Sequence, residues 1–480
     1  MANPSLRLES EARAELWRRL VAAIENYADK LDASRVTPEL DPGKVRALLK
    51  RFDFNSQVDP IEALDFVVES LWKYQVHTPH PRYYGLFNPA PTTMGIAADA
   101  LVAAFNPQLA AWSHSPFAIE VEQHLIRALA SRFGYDPAQT DGTFSSGGME
   151  ANHTAVLTAL TQAFPQFAQK GVGALPAPPT LYVSQEAHHS MLKAARLCGL
   201  GSEAVHEIPV DDGLKMDPEA LATRIAEDRH GGLAPFLVVA TAGTTNSGVI
   251  DPIRRVADVA THERLWLHVD AAWGGAAALV PELRLLLDGV ERADSITVDA
   301  HKWLSVPMGA GLYLTRHPDV LERTFRVATA YMPKEAEGLD VVNPHLRSIQ
   351  WSRRSIGLKV FLSLAVAGWE GYAAAIRHMI EMGNYLRQRL EVANWQVLNQ
   401  TPLPLACFVD RQHKGGSSAE FLEAIAFKIV SSGKAWMSTT RLAGGVPVLR
   451  ACITNYRTEP SDIDALINDL DWAREQVKQR

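Results

Sequence analysis

Cysteine is scarce in this chain: three occur in 480 residues, at Cys198, Cys407 and Cys452. They are far apart and odd in number, which fits neither a disulfide framework nor a paired CxxC metal clip, so a reduced, cytoplasmic protein is expected. Long apolar runs are absent as well. No stretch approaches the roughly eighteen residues a membrane-spanning helix needs, and the opening MANPSLRLESEARAELWRRL has no apolar signal core. Positive charge is in deficit, with a net charge of −7 and no dense basic stripe, so neither nucleic acid nor an anionic membrane is an expected partner. Internal repeats and low-complexity segments are missing too. What remains is an ordinary globular composition, 47% hydrophobic and 21% charged, in a chain long enough for a large core plus smaller lobes. The ligand expected of such a chain is a small molecule.

Three regions follow from the pattern. Residues 1–75 are charged and helix-like, with Leu16, Leu20, Ala23 and Ile24 spaced by three and four, and read as a helical arm whose apolar stripe must lie on something. Residues 76–355 form the large domain. It opens with HTPHPRYYGLFNPAP at 77–91, a loop with enough apolar surface to be ordered and to wall a pocket. Short apolar runs then alternate with helical segments: TLYVS, FLVVATAG, LWLHVDAA, SITVDAH and GAGLYLT, with helices expected over 218–228 and 252–262. That is the pattern of βαβ units and a mainly parallel sheet. Residues 356–480 change to a long helix, the strand-like QVLNQTPLPLACFVD, a helix, the hairpin-like WMSTTRLAGGVPVLRACIT and a last helix entered through Ser461 and Asp464, which makes a small α+β domain.

Ligands of open parallel sheets sit beyond the carboxyl ends of the strands. In TFSSGGMEANHTAVLTAL, two serines and two glycines open a helix, and the backbone N–H groups of Gly147, Gly148 and Met149 are placed to receive an anion. By itself such a stretch is more often only a cap and turn, and it is not a Walker loop. In LWLHVDAAWGG, Asp270 ends an apolar strand with Ala272 on the same face, because side chains two apart on a strand share a side. Thr245, at the end of another strand, is either a hydroxyl donor to a ligand or loop chemistry before the next helix. Most unusual is SITVDAHKWLSVPMG, where Lys302 follows a buried-strand pattern although lysine normally seeks water. A strand-end amine, a strand-end carboxylate, an anion-ready helix start and His188 after TLYVS together supply what pyridoxal 5′-phosphate requires: a Schiff-base partner, a counter-charge for the pyridine nitrogen, a phosphate cradle and a group over the ring.

The ordered set HPRYYG, SSGGMEAN, EAHHS, TAGTTNSGVID, HVDAAWGG, DAHKW and VLRACITN resembles the pyridoxal-phosphate-dependent group II amino-acid decarboxylases, the family of aromatic-amino-acid, histidine and glutamate decarboxylases, over nearly the whole chain. The resemblance implies an α/β chain with an aspartate-aminotransferase-like large domain (pyridoxal-phosphate fold type I), and a homodimer with its active sites at the interface and the N-terminal arms embracing the partner. It implies that Lys302 carries the cofactor as a Schiff base, that Asp270 pairs with the pyridine nitrogen, and that His188 and Ala272 lie on opposite faces of the ring. Gly147, Gly148, Met149 and His301 then fall near the phosphate and Thr245 near the cofactor. Arg450 matches an arginine that binds the substrate carboxylate, although a structural ion pair is its plainer reading.

Within TFRVATAYMPKEAEGLDVV, Tyr331 matches a loop tyrosine that protonates the substrate α-carbon. Tyrosine there favours simple decarboxylation over the oxidative formation of an aldehyde by a related synthase. The same fold also serves cofactor-binding transcription regulators, but the first 75 residues offer no basic recognition helix for one. NPQLAAWSHSP, at 106–116, corresponds to a stretch that reaches the partner subunit's site. Gln108 and Ala110 stand where aromatic decarboxylases place bulky apolar residues. Ser352 matches a substrate-facing serine of histidine decarboxylases, and by itself it is a surface serine without a role. Aromatic, imidazole and acidic amino acids all stay open as the substrate.

Overall fold

The computed structural model describes residues 6–327, 329–333, 335–412 and 418–478. Its centre is a seven-stranded sheet built from β1 (Asp141–Ser145), β2 (Pro179–Ser184), β3 (Val205–Ile208), β4 (Ala234–Thr241), β5 (Trp266–Asp270), β6 (Ser295–Asp299) and β7 (Gly311–Thr315), in the order β1-β7-β6-β5-β4-β2-β3. The pairs from β3 to β6 are parallel, and β7 runs antiparallel to both of its neighbours. The sheet is therefore mainly parallel, as the alternation predicts, with one reversed strand. That reversal is local: β6 and β7 are joined by a short connection, 300–310, which has no room for the crossover a parallel partner would need.

Strand alternation divides the core. Val238 and Ala240 of β4 belong to one apolar cluster, with Leu267, Val269 and the helix Ile253–Glu263. Leu237 and Val239 belong to another, with Val156, Ala159 and Leu160 of the helix Gly148–Ala163. Both faces of the central strands are covered, which is why these strands read as continuous apolar runs. Two strands escape the sequence pattern. β1 is the sequence DGTFS, polar and glycine-containing, yet all five residues are buried; β3 has only four residues.

A second, wholly antiparallel sheet follows in the order β10-β11-β9-β8, from β8 (Trp395–Val397), β9 (Leu405–Asp410), β10 (Ser438–Leu442) and β11 (Val446–Cys452). The turn between β10 and β11 needs left-handed backbone at Gly444 and Gly445, φ 76° and 77°, conformations that glycine adopts without strain. The long helix Gly357–Val392 is interrupted at Gly368, φ 64°. The last helix differs from its expected entry. It starts at Pro460, and the Asp462 carboxylate accepts from the Glu459 N–H at 3.0 Å, so Asp462 reaches back to the helix start and Ser461 lies inside the helix. Asp464 instead accepts from Arg389 and Tyr385.

Because β1 is parallel to β6 through two reversals, the carboxyl ends of β1, β2, β4, β5 and β6 all meet one edge of the large sheet. The helix Gly148–Ala163 starts there, and so does the segment that carries Lys302.

Candidate active site

A cavity at that edge is lined by Phe87, Gly148, Met149, Asn152, His188, Thr241, Gly243, Thr245, Asp270, Ala272, Trp273, Asp299 and Lys302. Lys302 follows β6 by three residues, its backbone N–H donating to the Asp299 carbonyl at 3.1 Å. Its Nζ lies 3.0 Å from Asp299 Oδ2 and 5.8 Å from the centroid of the Phe87 ring. The side chain is only 24% exposed, so this is no solvated surface charge.

Asp270 closes β5. Its Oδ2 accepts from Asn152 Nδ2 at 2.8 Å and its Oδ1 from the Ala272 N–H at 3.1 Å. That second bond corrects the expectation about Ala272: the strand stops at Asp270, and a turn brings Ala272 to the cavity, not the strand pleat. A similar correction applies to Thr245, which sits in a turn beyond the end of β4; the strand-end threonine is Thr241. His188 accepts from the Ser190 N–H at 3.2 Å through Nδ1, and burial holds its pKa below the usual histidine range.

At the helix start, Gly148 is required by space. A β-carbon there would come 2.7 Å from Asp299 Oδ2 and 3.3 Å from the Ala272 β-carbon. The first-turn N–H groups of this helix have no acceptor one turn back and sit at the positive end of the helix dipole. Gly147 and His301 stand just behind the lining: a β-carbon on Gly147 would contact His301 Cε1 at 3.5 Å, and His301 Nδ1 accepts from the Ala310 N–H at 3.1 Å. Burial also lowers the His301 pKa.

Besides Gly147 and His301, four residues expected at the site lie outside this lining. Arg450, on β11, is buried behind Phe87, with its guanidinium 4.8 Å from that ring, Nε donating to the Thr245 carbonyl and Nη1 to the Gly85 carbonyl. Among the described residues no ion pair holds it, and its Nη2 is buried without a hydrogen-bond partner. Tyr331 is 74% exposed and its ring centroid lies 6.1 Å from that of Trp351. Ser352, next to Trp351, accepts from Gln108 Nε2 at 3.4 Å. None of these three lines the cavity that contains Lys302; Trp351 and its neighbour Ser352 link them. Ala110 faces inward, with its carbonyl taken by the backbone N–H and Nδ1 of His345. Two neighbours of Tyr331 in its loop, Ala328 and Lys334, lie outside the described residues.

Sequence reasoning missed Phe87, Asn152, Thr241, Gly243, Trp273 and Asp299 as lining residues. Phe87 lay within the loop expected to wall a pocket, and Asn152 and Asp299 lay inside quoted motifs, but nothing in their spacing marked them.

A mainly parallel sheet whose carboxyl edge gathers a half-buried lysine, a hydrogen-bonded carboxylate, a histidine whose protonated form burial disfavours and a glycine-opened helix matches what a carbonyl cofactor with an anionic group needs. The pyridoxal-dependent decarboxylase conserved domain matches residues 42–411. An aromatic-L-amino-acid decarboxylase of Bacillus atrophaeus is 30% identical over 98% of both chains, and an acidic amino acid decarboxylase, GADL1, of Bos taurus is 29% identical over 83% of this chain and 78% of its own. Among solved structures, mouse CSAD superposes with a TM-score of 0.90 at 25% identity, covering 97% of this chain and 99% of the other. Oryza sativa TDC with PLP and tryptamine gives 0.92 at 24% identity, covering 98% and 99%. The chain belongs to the pyridoxal-dependent decarboxylase family: it is a carboxy-lyase that uses pyridoxal 5′-phosphate to decarboxylate an amino acid.

Proposed function

We propose that the cavity holds the cofactor with Lys302 as its Schiff-base amine, Asp270 against the pyridine nitrogen, His188 and Ala272 on the two faces of the ring, the phosphate at Gly147, Gly148 and Met149 with His301 behind, and Thr245 at the rim. The observation that carries this is the meeting of Lys302 and Asp270, from two strands, in one cavity that also contains the start of the helix Gly148–Ala163. The residues fit the group. Thr241 Oγ1 and Asp299 Oδ1 are buried lining atoms without a hydrogen-bond partner among the described residues, and Gly148 keeps the helix start open where a β-carbon would fill it.

When bound, the cofactor supplies an electron sink for the pair released as the bond from the substrate α-carbon to its carboxylate breaks. The chain does the rest. Asp299 holds the Lys302 amine at the cavity, Asp270 presents a negative charge to the ring, and Arg450 Nη2 binds the substrate carboxylate. The Tyr331 hydroxyl returns a proton to the α-carbon. The product is the amine.

Tyr331, Ser352 and Gln108 cluster away from their own cavity, which supports a homodimer in which each subunit completes its partner's site. Leu101, Phe105 and Phe117 are at least half exposed and line, with Leu358 and Phe361, an apolar groove that a second copy would cover. On the N-terminal arm Trp17, Val21, Val67 and Leu71 are likewise exposed. Three free cysteines fit a cytoplasmic location.

Aromatic L-amino acids are the substrates this reading favours. Phe87, Met149 and Trp273 give the cavity apolar walls, and Lys302 is the only lysine or arginine among the described residues lining it, so a side-chain carboxylate has no second cation to meet. The relative matching 98% of both chains also bears that activity in its name. Gln108 and Ser352 favour the second reading, a polar or acidic side chain. A panel of tryptophan, tyrosine, phenylalanine, histidine, glutamate and aspartate, scored for carbon dioxide release with added cofactor, separates the two; faster turnover of glutamate or aspartate overturns the first. Lys302→Ala is expected to abolish both turnover and the visible absorbance of the bound cofactor, and persistence of both would overturn the site.

A further inference from the structure

Beneath Asp270, away from the cavity, lies a chain of hydrogen bonds between buried side chains. Trp266 Nε1 donates to Ser295 Oγ at 2.8 Å; Ser295 Oγ meets His268 Nδ1 at 2.8 Å; His268 Nε2 meets Asn152 Oδ1 at 3.1 Å; Asn152 Nδ2 donates to Asp270 Oδ2 and to Ser190 Oγ, each at 2.8 Å. Thr297 Oγ1 stands 3.3 Å from His268 Nε2. His268 is fully buried, and burial lowers its pKa to about 4, so the ring is neutral and carries one proton.

The direction of each bond follows from the ends. A carboxylate only accepts, so Asn152 must turn its NH2 toward Asp270 and its carbonyl toward His268. That carbonyl demands a proton on Nε2. The single proton of the ring is then used, and Nδ1 accepts from the Ser295 hydroxyl, whose oxygen is free to accept from Trp266. Without a donor at Nε2 the Asn152 carbonyl is left unpaired in a site shielded from water, and the amide is held in place only through its NH2 group, on Asp270 and Ser190.

We propose that His268 is a positioning residue: it locks the Asn152 amide with its NH2 toward Asp270 and so keeps that carboxylate aimed at the cavity. It touches neither cofactor nor substrate, and it is not a lining residue. The inference rests on the reading of Asp270 as the partner of the pyridine nitrogen.

The test uses the full-length holoenzyme and three variants: His268→Leu, which has no polar atom; His268→Gln, whose amide N–H can stand where Nε2 does; and Asp270→Asn as the control for the underlying reading. The readouts are the dissociation constant of pyridoxal phosphate, followed at its visible band, kcat and KM for one amino acid, and the thermal midpoint of the cofactor-free chain. His268→Leu is expected to weaken cofactor binding and lower kcat by about five- to a hundred-fold, the range for a buried acceptor left without its donor, with KM unchanged. His268→Gln is expected to recover most of both.

If Asp270→Asn binds the cofactor and turns over as the parent does, the reading of Asp270 falls. If Asp270→Asn is impaired but His268→Leu is not, the positioning role falls alone. Equal loss in the leucine and glutamine variants, tracking the thermal midpoint, means packing and also overturns it. Should His268→Leu fail to fold, His268→Met, apolar and more adaptable in packing, replaces it: a loss of cofactor affinity that His268→Gln recovers supports the proposal, and wild-type affinity overturns it.

Discussion

Lys302 departs from the usual place of its residue type, and the structure accounts for it by what surrounds the amine: Asp299 at 3.0 Å and the Phe87 ring at 5.8 Å. A lysine following an apolar strand was legible as an anomaly; Asp299 as its neighbour was not, because an aspartate three residues earlier is equally at home in a turn. Gly148 shows the same limit. Its type suggested a close approach of a ligand, but what excludes a side chain is Asp299, at the end of β6, and Ala272, in the turn after β5. Gly148→Ala is therefore expected to weaken cofactor binding by about ten-fold or more. Its stability cost should be about 1–3 kcal/mol, as for overpacking of a tight site. Titration with pyridoxal phosphate and thermal denaturation of the cofactor-free chain check the two effects separately.

At the scale of elements, runs such as FLVVATAG and SITVDAH announced β4 and β6 because strands buried on both faces need apolar side chains on both. DGTFS did not announce β1, since Phe144 is its one large apolar side chain and the rest of its burial comes from the neighbours β7 and the helix Pro116–Arg132. Another feature invisible in the pattern holds the start of the long helix. Glu122, in the helix Pro116–Arg132, is buried and accepts from both guanidinium nitrogens Nη1 and Nη2 of Arg353, and its Oε1 also accepts from the N–H groups of Ile356 and Gly357. This pair fixes the segment that presents Ser352. Glu122→Ala leaves Arg353 buried and unpaired, and the expected loss is about 3–5 kcal/mol of stability, measured by urea unfolding of the cofactor-free chain. A loss below 1 kcal/mol would show that water or another group takes over the charge.

For the whole molecule, the cluster of Gln108, Ser352 and Tyr331 leads to a prediction about two chains. Lys302→Ala and Tyr331→Phe are each expected to be inactive in amine formation. Co-assembled, one cavity of the mixed dimer has Lys302 from one chain and the partner's Tyr331, so carbon dioxide release with amine production should return to roughly a quarter of the wild-type rate per dimer population, the share set by random pairing and one intact site in two. No recovery in mixtures shown by tagged pull-down to contain mixed dimers would place Tyr331 in its own subunit's site.

What the sequence by itself determined was the class of chemistry and the mainly parallel sheet, because an apolar strand pattern and a handful of motifs are local properties that survive without coordinates. Only the tertiary structure decided which residues share the cavity. Phe87, Asn152 and Asp299 enter it from a loop, a helix and a strand end, and Tyr331 and Ser352 stay out of it. The reason is physical: a side chain's role at a site depends on distances across the fold, which spacing along the chain does not encode, and His268 supports Asp270 only because β5, β6 and the helix Gly148–Ala163 meet at one edge.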